Sequence, residues 1–458
     1  MSSFSSLPLS KEMIDNLNNL KYEIMTPIQE KSIPEILNGN DVLAQAKTGS
    51  GKTAAYGIGL LHNLNVKRFR VQSIILCPTR ELAEQIAGEL RRIACFKHNI
   101  KLLKLTGGLP IYKQELSLKH QAHVVVGTPG RVLKLLQKGA LNLDNVKTVV
   151  LDEADIMLDM GFSDQIKDII KFAPVKRQTL CFSATFPDRV KKLSKDVLKN
   201  HVEIAVDIQH DETVIKQLFY KIPAQKKGSA VLALLRRHRP DSTIIFCNTK
   251  DACRKVMKEL NRSGLDSLAL HGDLEQKDRT EVLIRFANGS SRVLVATDVA
   301  ARGIDIEDLS AVINFDLPFE KEVYVHRIGR TGRAGREGLA LSLMVPGEDF
   351  RINEINEYCK TDFKPIAPDF EYSIDNPDLE PAMITLSING GRKNKISAGD
   401  ILGTLTSKGG IDGSDVGKID RMDYLTFVAI KRKSAKLALH TLEAGRIKGR
   451  KFLAMIHD

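Results

Sequence analysis

The feature that most constrains this chain of 458 residues is a glycine-rich loop between an apolar strand and a helix. Residues 41–45 have the composition of a short buried strand, and the run 54–64 has helical apolar spacing. Gly49 and Gly51 let the backbone approach an anion closely, so that successive N–H groups can converge on a phosphate. An ordinary turn before a helix is the alternative, but the ending Gly-Lys-Thr after a strand favours a nucleotide site.

Side chains of this loop would serve a bound nucleotide in distinct ways. Lys52 would reach the outer phosphates, and the Thr53 hydroxyl would hold Mg²⁺. The general pattern for such loops opens with glycine, whereas this one opens with Ala46. The predicted phosphate-binding loop consists of Ala46, Lys47, Thr48, Gly49, Ser50, Gly51, Lys52 and Thr53.

Composition disfavours several classes of protein. No apolar run approaches the ~20 residues that a membrane span needs, and the N-terminus lacks the basic and apolar regions of an export signal. The six cysteines include no C-x-x-C pair, which favours a reduced compartment without a metal-cysteine site. We therefore expect a cytoplasmic protein that has no membrane partner and is a monomer.

Two series of apolar strands alternate with helical stretches, which predicts two similar α/β domains with parallel sheets covered on both faces. Residues 383–458 hold 14 Lys and Arg against 7 Asp and Glu, a net +7 of the chain's +12. An acidic segment with three prolines precedes them, as in a linker, and the basic module suggests a polyanionic partner. The predicted domains are 1–208 and 209–365, followed by a linker at 366–382 and the module at 383–458.

Polar side chains follow several strands, and open parallel sheets bind ligands beyond the carboxyl ends of their strands. Asp152 follows an apolar run where a Mg²⁺-holding carboxylate belongs in a phosphate-loop ATPase, and Glu153 could accept a proton from the attacking water. Taken alone, such a pair is more often a solvated helix start. Residues 326–333 supply three arginines, of which we expect Arg330 and Arg333 to complete the site when the domains close. The alternative is a surface basic cluster.

Taken in order, these motifs resemble those of the DEAD-box helicases of superfamily two across residues 1–365. The sequence Asp-Glu-Ala-Asp at 152–155 gives that family its name, and residues 22–29 resemble its Q motif. The resemblance implies two tandem RecA-like domains, ATP-dependent RNA helicase activity, ATP and Mg²⁺ as cofactors, and RNA as partner. Within this family an opening alanine, here Ala46, is usual.

The resemblance also implies roles for single residues. Gln29 would read the adenine and Phe4 would stack on it. Gly303 and Asp305 would lie near the ribose, and the motif at 183–185 would couple hydrolysis to work on RNA. Arg330 and Arg333 would be arginine fingers. The implied RNA-backbone contacts are Pro78, Thr79, Arg80, Gly107, Gly108, Thr128, Arg131, Gln276, Arg279, Thr297 and Asp298.

The C-terminal module is similar to that of the DbpA subfamily. That subfamily appends a divergent RRM-like α+β domain, which recognises a hairpin of bacterial 23S ribosomal RNA and acts on precursors of the large (50S) ribosomal subunit. The predicted order of strands and helices fits an RRM, but residues 424–430 lack the aromatic core with which RRM sheets stack bases. We therefore expect recognition partly on basic loops, through Arg392, Lys393, Lys395, Lys448 and Lys451.

Two alternatives to an unwinding enzyme stay open at this point. An ATP-gated RNA clamp or assembly scaffold would need the same closed state, so the sequence does not separate it from a helicase. A DNA translocase is disfavoured by the Q motif and by residues 152–155.

Overall fold

The computed structural model describes residues 2–46, 49–206, 215–301, 306, 308–332, 337–368 and 379–457. These residues form two compact units, the first up to Val206 and the second from Ile215 onward. The first unit contains one parallel sheet, and the second contains another parallel sheet and a small antiparallel one. The predicted fold class is therefore confirmed: two RecA-like parallel-sheet domains and a C-terminal α+β domain.

The first sheet is built from short strands whose central members are buried along their whole length, because helices cover both faces. Its strands are β1 (Val42–Gln45), β2 (Ser73–Leu76), β3 (Leu102–Leu105), β4 (Val124–Gly127), β5 (Thr148–Leu151), β6 (Gln178–Ser183) and β7 (Val202–Ala205). Its helices are α1 (Lys11–Asn19), α2 (Pro27–Leu37), α3 (Lys52–His62), α4 (Arg80–Ile93), α5 (Ile111–Lys119), α6 (Pro129–Gln137), α7 (Ala154–Asp159), α8 (Ser163–Lys171) and α9 (Asp188–Val197).

The strand order is what builds the site. Within the described residues it is β3-β4-β2-β5-β6-β1-β7, with every neighbouring pair parallel. The residues that follow β1, β5 and β6 therefore meet at one edge of the sheet. The Ala46 N–H donates to the Ser183 carbonyl at 3.0 Å, and Asp152 follows the neighbouring strand β5.

The second parallel sheet repeats this order. Its strands are β8 (Ile215–Lys221), β9 (Thr243–Cys247), β10 (Ser267–Leu270), β11 (Val293–Thr297), β12 (Ala311–Asn314), β13 (Gly338–Met344) and β14 (Pro365–Ile366). Their order among the described residues, β10-β11-β9-β12-β13-β8-β14, is that of the first sheet with each number raised by seven. The helices are α10 (Lys227–His238), α11 (Lys250–Arg262), α12 (Gln276–Ala287), α13 (Asp298–Ala301), α14 (Lys321–Ile328) and α15 (Asp349–Cys359).

The C-terminal domain is a small antiparallel sheet with two helices on one face. It contains β15 (Met383–Ile388), α16 (Ala398–Leu405), β16 (Val416–Arg421), β17 (Thr426–Lys431), α17 (Ala435–Ala444) and β18 (Ala454–His457), and the sheet order is β16-β17-β15-β18. Leu386, Val428 and Ile401 are fully buried in its core. Across the described ranges, no helix is long and apolar enough to cross a bilayer.

Candidate active site and RNA interface

The Lys52 side chain folds back onto the phosphate-binding loop and bonds to its first residue. Lys52 is the first residue of α3, its side chain is buried, and its Nζ donates to the Ala46 carbonyl at 3.0 Å. Gly49 and Gly51 have φ angles of 79° and 90°, a region that favours glycine. A buried ammonium group at the N-terminus of a helix suits a bound phosphate. Thr53 lies in the same first turn, and the predicted loop residues Lys47 and Thr48 are outside the described residues.

Gln29 is joined directly to this loop. Its Oε1 accepts from the Thr26 N–H at 2.9 Å, and its Nε2 donates to the Gly51 carbonyl at 3.1 Å. Thr26 in turn donates its hydroxyl to the Ser50 carbonyl at 2.8 Å. A Cβ placed on Gly51 would collide with the Gln29 amide, so this position needs glycine for space as well as for its φ angle. A side-chain amide held in this way keeps one N–H and one lone pair, which match the edge of adenine.

Phe4, which the resemblance assigns to stacking on the adenine, lies in the hydrophobic core of this structure, and its stacking role stays a prediction. Its side chain is 1% exposed. Its ring packs edge-on against Tyr22, with centroids 6.0 Å apart. Tyr22 is half-buried and hydrogen-bonded to Glu89 and Arg92, and burial followed by the Glu89 hydrogen bond raises its pKa to about 12. Tyr22, which belongs to the segment resembling the Q motif, is the more exposed of these two rings.

The two acidic residues after β5 are both buried. Asp152 accepts from the Tyr56 hydroxyl at 2.8 Å and from the Glu153 N–H at 3.0 Å. Burial raises the pKa of Asp152, and the charge of Lys52 and the Tyr56 hydrogen bond oppose that rise. Glu153 has a φ of 52°, and such strain in a non-glycine residue is typical of functional sites. Sequence reasoning missed Tyr56 because a tyrosine in an apolar helix has the same signature as a core residue.

Asp155 joins the acidic motif to the motif at the end of β6. Its Oδ2 accepts from both the N–H and the hydroxyl of Thr185, each at 2.9 Å. Ser183 completes the connection, because its Oγ accepts from the Asp155 N–H at 3.3 Å and donates to the Thr185 carbonyl at 2.7 Å. A displacement of either motif would therefore be transmitted to the other.

The residues predicted to contact RNA in the first unit converge around two arginines. The Arg80 guanidinium packs against Gly108, where a Cβ would collide with it, and lies 2.8 Å from the Cβ position of Gly107. Arg131 donates to the Leu109 carbonyl and to Gln114, both at 3.0 Å. Burial lowers the pKa of Arg131, and the positive charge of Arg80 lowers it further. Two neighbouring guanidinium groups of this kind suit an anion such as an RNA phosphate.

The other three predicted contacts of this edge lie just after β2 and β4. Thr79 caps α4, since its hydroxyl accepts from the Leu82 N–H at 3.2 Å. Thr128 precedes α6 and is partly exposed, whereas Pro78 is buried at the end of β2. All three follow neighbouring strands, so the strand order brings them together.

In the second unit, the predicted residues lie around β11 and α14. Arg279 donates to the Ala300 carbonyl at 2.6 Å, and Thr297 ends β11 with its side chain partly exposed. Arg330 is largely buried, and its carbonyl accepts from the Leu309 N–H at 3.0 Å. The predicted residues Gly303, Asp305 and Arg333 lie outside the described residues.

Arg327 forms a network that sequence reasoning did not assign. It is 1% exposed and donates to both carboxylate oxygens of Asp298 at 2.6–2.7 Å, and also to Asn248 at 2.8 Å. Its guanidinium also stands over the Phe246 ring, 5.1 Å from the centroid. The Asp298 carboxylate, expected to lie against RNA, is therefore bonded to Arg327, which fixes α14 relative to the end of β11.

The basic residues predicted to bind RNA in the C-terminal domain divide into two groups. Arg392, Lys393 and Lys395 lie in one exposed loop, and Lys451 is exposed ahead of β18. Lys448 instead bonds to the Lys395 carbonyl at 2.9 Å and to Asp400 at 3.0 Å. Its ammonium group therefore fastens the basic loop to α16, which gives it a supporting part in this surface.

Comparison with known families agrees with this geometry. The model described as DEAD/DEAH box helicase matches residues 26–193, that of the helicase conserved C-terminal domain matches 226–335, and that of the DbpA RNA binding domain matches 385–455. The chain belongs to the DEAD-box family of ATP-dependent RNA helicases. The acidic motif, the phosphate loop and the paired sheets described above are the parts that this assignment requires.

Within that family the chain is of the DbpA subfamily. It is 49% identical over 451 residues to the ATP-dependent RNA helicase DbpA of Escherichia coli (strain K12), covering 98% of each chain. It is 39% identical over 471 residues to DbpA of Bacillus subtilis (strain 168), again covering 98% of each. Among solved structures, S. cerevisiae Dbp5 bound to RNA and ADP BeF3 is similar with a TM-score of 0.74 at 32% identity, covering 81% of this chain and 96% of that one.

Proposed function

We propose that this helicase separates short ribosomal RNA duplexes and that residues 383–458 direct it to a hairpin of 23S ribosomal RNA during assembly of the 50S subunit. The match of residues 385–455 to the DbpA RNA binding domain carries this proposal. The exposed basic loop with Arg392 and Lys393 supports it, because cationic loops bind phosphates and unpaired nucleotides. The proposed place of action is the cytoplasm, on precursors of the large subunit.

The chemistry of ATP hydrolysis is assigned to the buried edge of the first sheet. Lys52 binds the outer phosphates, and Glu153 accepts the proton of the attacking water. Gln29 recognises the adenine through its second amide N–H and the second lone pair of Oε1, because the contacts to Thr26 and Gly51 use only one of each. Arg330 and Arg333 stabilise the charge that develops on the transferred group once the domains close.

The oxygen donors of this edge fit a magnesium ion. Thr53 and Asp152 are the residues that would hold it, directly or through water, and hard oxygen ligands are those that Mg²⁺ takes. When bound, the ion neutralises charge on the phosphate oxygens. Tyr56 contributes by fixing the orientation of the Asp152 carboxylate through its 2.8 Å hydrogen bond.

The two parallel-sheet domains contact the sugar–phosphate backbone of the RNA, and the C-terminal domain determines which RNA is bound. Arg80, Arg131 and Arg279 are proposed to bind phosphates, which carry no sequence information. The Asp155–Thr185 hydrogen bonds support a coupling between the acidic motif and the RNA-bound state.

The test is RNA-stimulated ATPase activity of the full-length protein against a series of ribosomal RNA fragments. The fragment containing the target hairpin is expected to stimulate most strongly. Charge reversal of Arg392, Lys393 and Lys395 is expected to remove that preference, to flatten the salt dependence of binding, and to leave weak stimulation by any RNA. Equal stimulation of the unmodified protein by all fragments would contradict the proposed targeting.

A further inference from the structure

The C-terminal sheet is covered on both of its faces. Every residue of Ile384–Ile388 in β15 and of Thr426–Ile430 in β17 is buried. Successive side chains of a strand point to opposite faces, so a sheet with helices on one side only would leave every second residue exposed. The face away from the helices, which includes Thr385, Ser387 and Phe427, is therefore also covered, and Phe427 is 2% exposed.

The second parallel-sheet domain provides this cover. Ser290 and Thr385 join their hydroxyls at 2.6 Å across the contact. His457 of β18 bridges the two domains, with Nδ1 2.8 Å from Glu281 Oε1 on α12 and Nε2 2.8 Å from Ser387 Oγ. The Phe427 ring packs edge-on against His457, with centroids 5.9 Å apart. The central aromatic of the sheet is thus engaged within the protein and presents no face to a base.

A second surface of the same domain is open and basic. The loop at 390–395 is fastened to the turn between β16 and β17, because the Arg392 N–H donates to the Met422 carbonyl and the Lys393 N–H to the Asp423 carbonyl, both at 2.9 Å. On its other side the Asn389 N–H donates to the Leu453 carbonyl at 2.9 Å. The loop is therefore held between two neighbouring segments at the end of the sheet.

Those two segments expose large apolar side chains next to the basic ones. Tyr424 is 66% exposed in the turn, and Leu453 is 74% exposed on the opposite side of the loop. Arg392 and Lys393 are exposed between them. An exposed aromatic ring beside two cations is the combination that binds unpaired nucleotides, since the ring stacks a base and the cations bind its phosphates.

We propose that the end of this sheet, and not its face, binds the unpaired bases of the RNA hairpin, with one base stacked on Tyr424 and its phosphates on Arg392 and Lys393. The inference rests on the proposed targeting to a hairpin and assigns the place of recognition. It follows that the C-terminal domain can hold RNA while it remains docked on the second domain through Thr385 and His457.

The experiment measures binding of the full-length protein, without nucleotide, to a fluorescent RNA hairpin that carries the ribosomal loop. Tyr424→Ala is expected to weaken binding by about 5- to 150-fold, which corresponds to the stacking of one base on an aromatic ring. Tyr424→Phe keeps the ring and should bind as the unmodified protein does. Leu437→Ala is the matched control, because Leu437 is an exposed apolar residue on α17 of the same domain.

A second readout separates stacking from loss of structure. With 2-aminopurine in the loop, binding should quench its fluorescence in the unmodified protein and in Tyr424→Phe but not in Tyr424→Ala. A fully paired duplex of the same stem should bind all three proteins equally.

Two results would point elsewhere, and they can be distinguished. If the unmodified protein bound the hairpin and the duplex equally, the proposed targeting itself would fail. If it preferred the hairpin and Tyr424→Ala kept that preference and the quenching, targeting would stand and the assignment of the base to Tyr424 would be wrong.

Discussion

The two parallel sheets share one strand order but use equivalent charged residues differently. α3 and α10 each follow the first strand of their sheet, and they begin with Lys52 and Lys227. Lys52 bonds to the backbone carbonyl of Ala46. Lys227 instead donates to Asp316 Oδ1 at 3.0 Å, and its side chain is only 7% exposed.

The acidic partners show the same contrast. Asp152 directly follows β5, and Asp316 lies two residues after β12, the strand at the same place in the second sheet. In the first sheet Asp152 accepts from Tyr56 and Lys52 donates to a backbone carbonyl, so the lysine acts on the aspartate through its charge and not through a hydrogen bond. In the second sheet the two charges neutralise each other. The strand order thus places a lysine and an aspartate near the same edge in both sheets. The residues around them determine whether the two side chains bind a ligand or pair with each other to stabilise the fold.

The largest expected effect concerns Glu153, because in the second sheet Asp316 has no acidic neighbour and lies between Phe315 and Leu317. Glu153→Gln should lower the rate of ATP hydrolysis by about 10²- to 10⁴-fold, because only proton acceptance is removed. ATP and RNA should stay bound, as measured by equilibrium binding of a fluorescent ATP analogue and of RNA. A parallel loss of ATP affinity would contradict the assignment of Glu153 as the base.

The paired variants Lys52→Met and Lys227→Met test the comparison directly. Lys52→Met should weaken ATP binding by about 10- to 100-fold, since a hydrogen bond to a charged group contributes about 1.5–3 kcal/mol. Lys227→Met should leave ATP binding unchanged and lower the free energy of unfolding by about 1–3 kcal/mol, because Asp316 loses its charged partner but keeps the Asn248 N–H and stays partly exposed. Binding titrations and denaturant unfolding of both proteins give the answer. Equal effects of the two changes on ATP affinity would remove the distinction between the sheets.

A smaller effect is expected at Gln29. Gln29→Ala should weaken ATP binding by about 2- to 10-fold, as for one or two neutral hydrogen bonds, and reduce the preference for ATP over GTP. Gly51→Ala should do at least as much, because its Cβ would displace the Gln29 amide. Competition binding with ATP and GTP measures both. An unchanged ATP preference in Gln29→Ala would assign base selection to another residue.

The smallest effect is expected from two buried tyrosines, one in each parallel-sheet domain. Tyr56→Phe removes the hydroxyl from Asp152, so the Mg²⁺ concentration needed for half-maximal nucleotide binding should rise a few-fold, as expected for one hydrogen bond of ~1 kcal/mol. Tyr324→Phe is the control, because Tyr324 donates to Gln217 at 2.7 Å in the second domain. If both variants changed the Mg²⁺ requirement alike, Tyr56 would have no special part in holding Asp152.

Continuous apolar runs predicted most of the central strands of both sheets, because a strand covered on both faces is apolar at nearly every residue. The same signal is absent at both edges of the first sheet. β3 contains Lys104 and is largely half-buried, and β7 alternates with exposed Glu203, so neither was predicted.

The sequence predicted those parts of the site in which the residue type and its spacing indicate a single function. The glycines and Lys52 of the phosphate loop, and the acidic pair after β5, were placed at one edge from sequence alone. The roles predicted for Phe4 and Lys448 depend on exposure and hydrogen bonding, which the sequence does not show. The Phe4 ring is in the core and the Lys448 ammonium holds Asp400, which no spacing in the sequence reveals.

The docked C-terminal sheet has a consequence for how such chains can be recombined. A domain joined only by a flexible linker could be transferred from one helicase to another without loss of contacts. Here the sheet face fits a particular partner, with Thr385 against Ser290 and His457 against Glu281. A transplanted copy would lose these contacts and expose Phe427 unless the recipient domain carried the matching residues. The contacts between the C-terminal domain and the second parallel-sheet domain therefore favour inheritance of the two domains together.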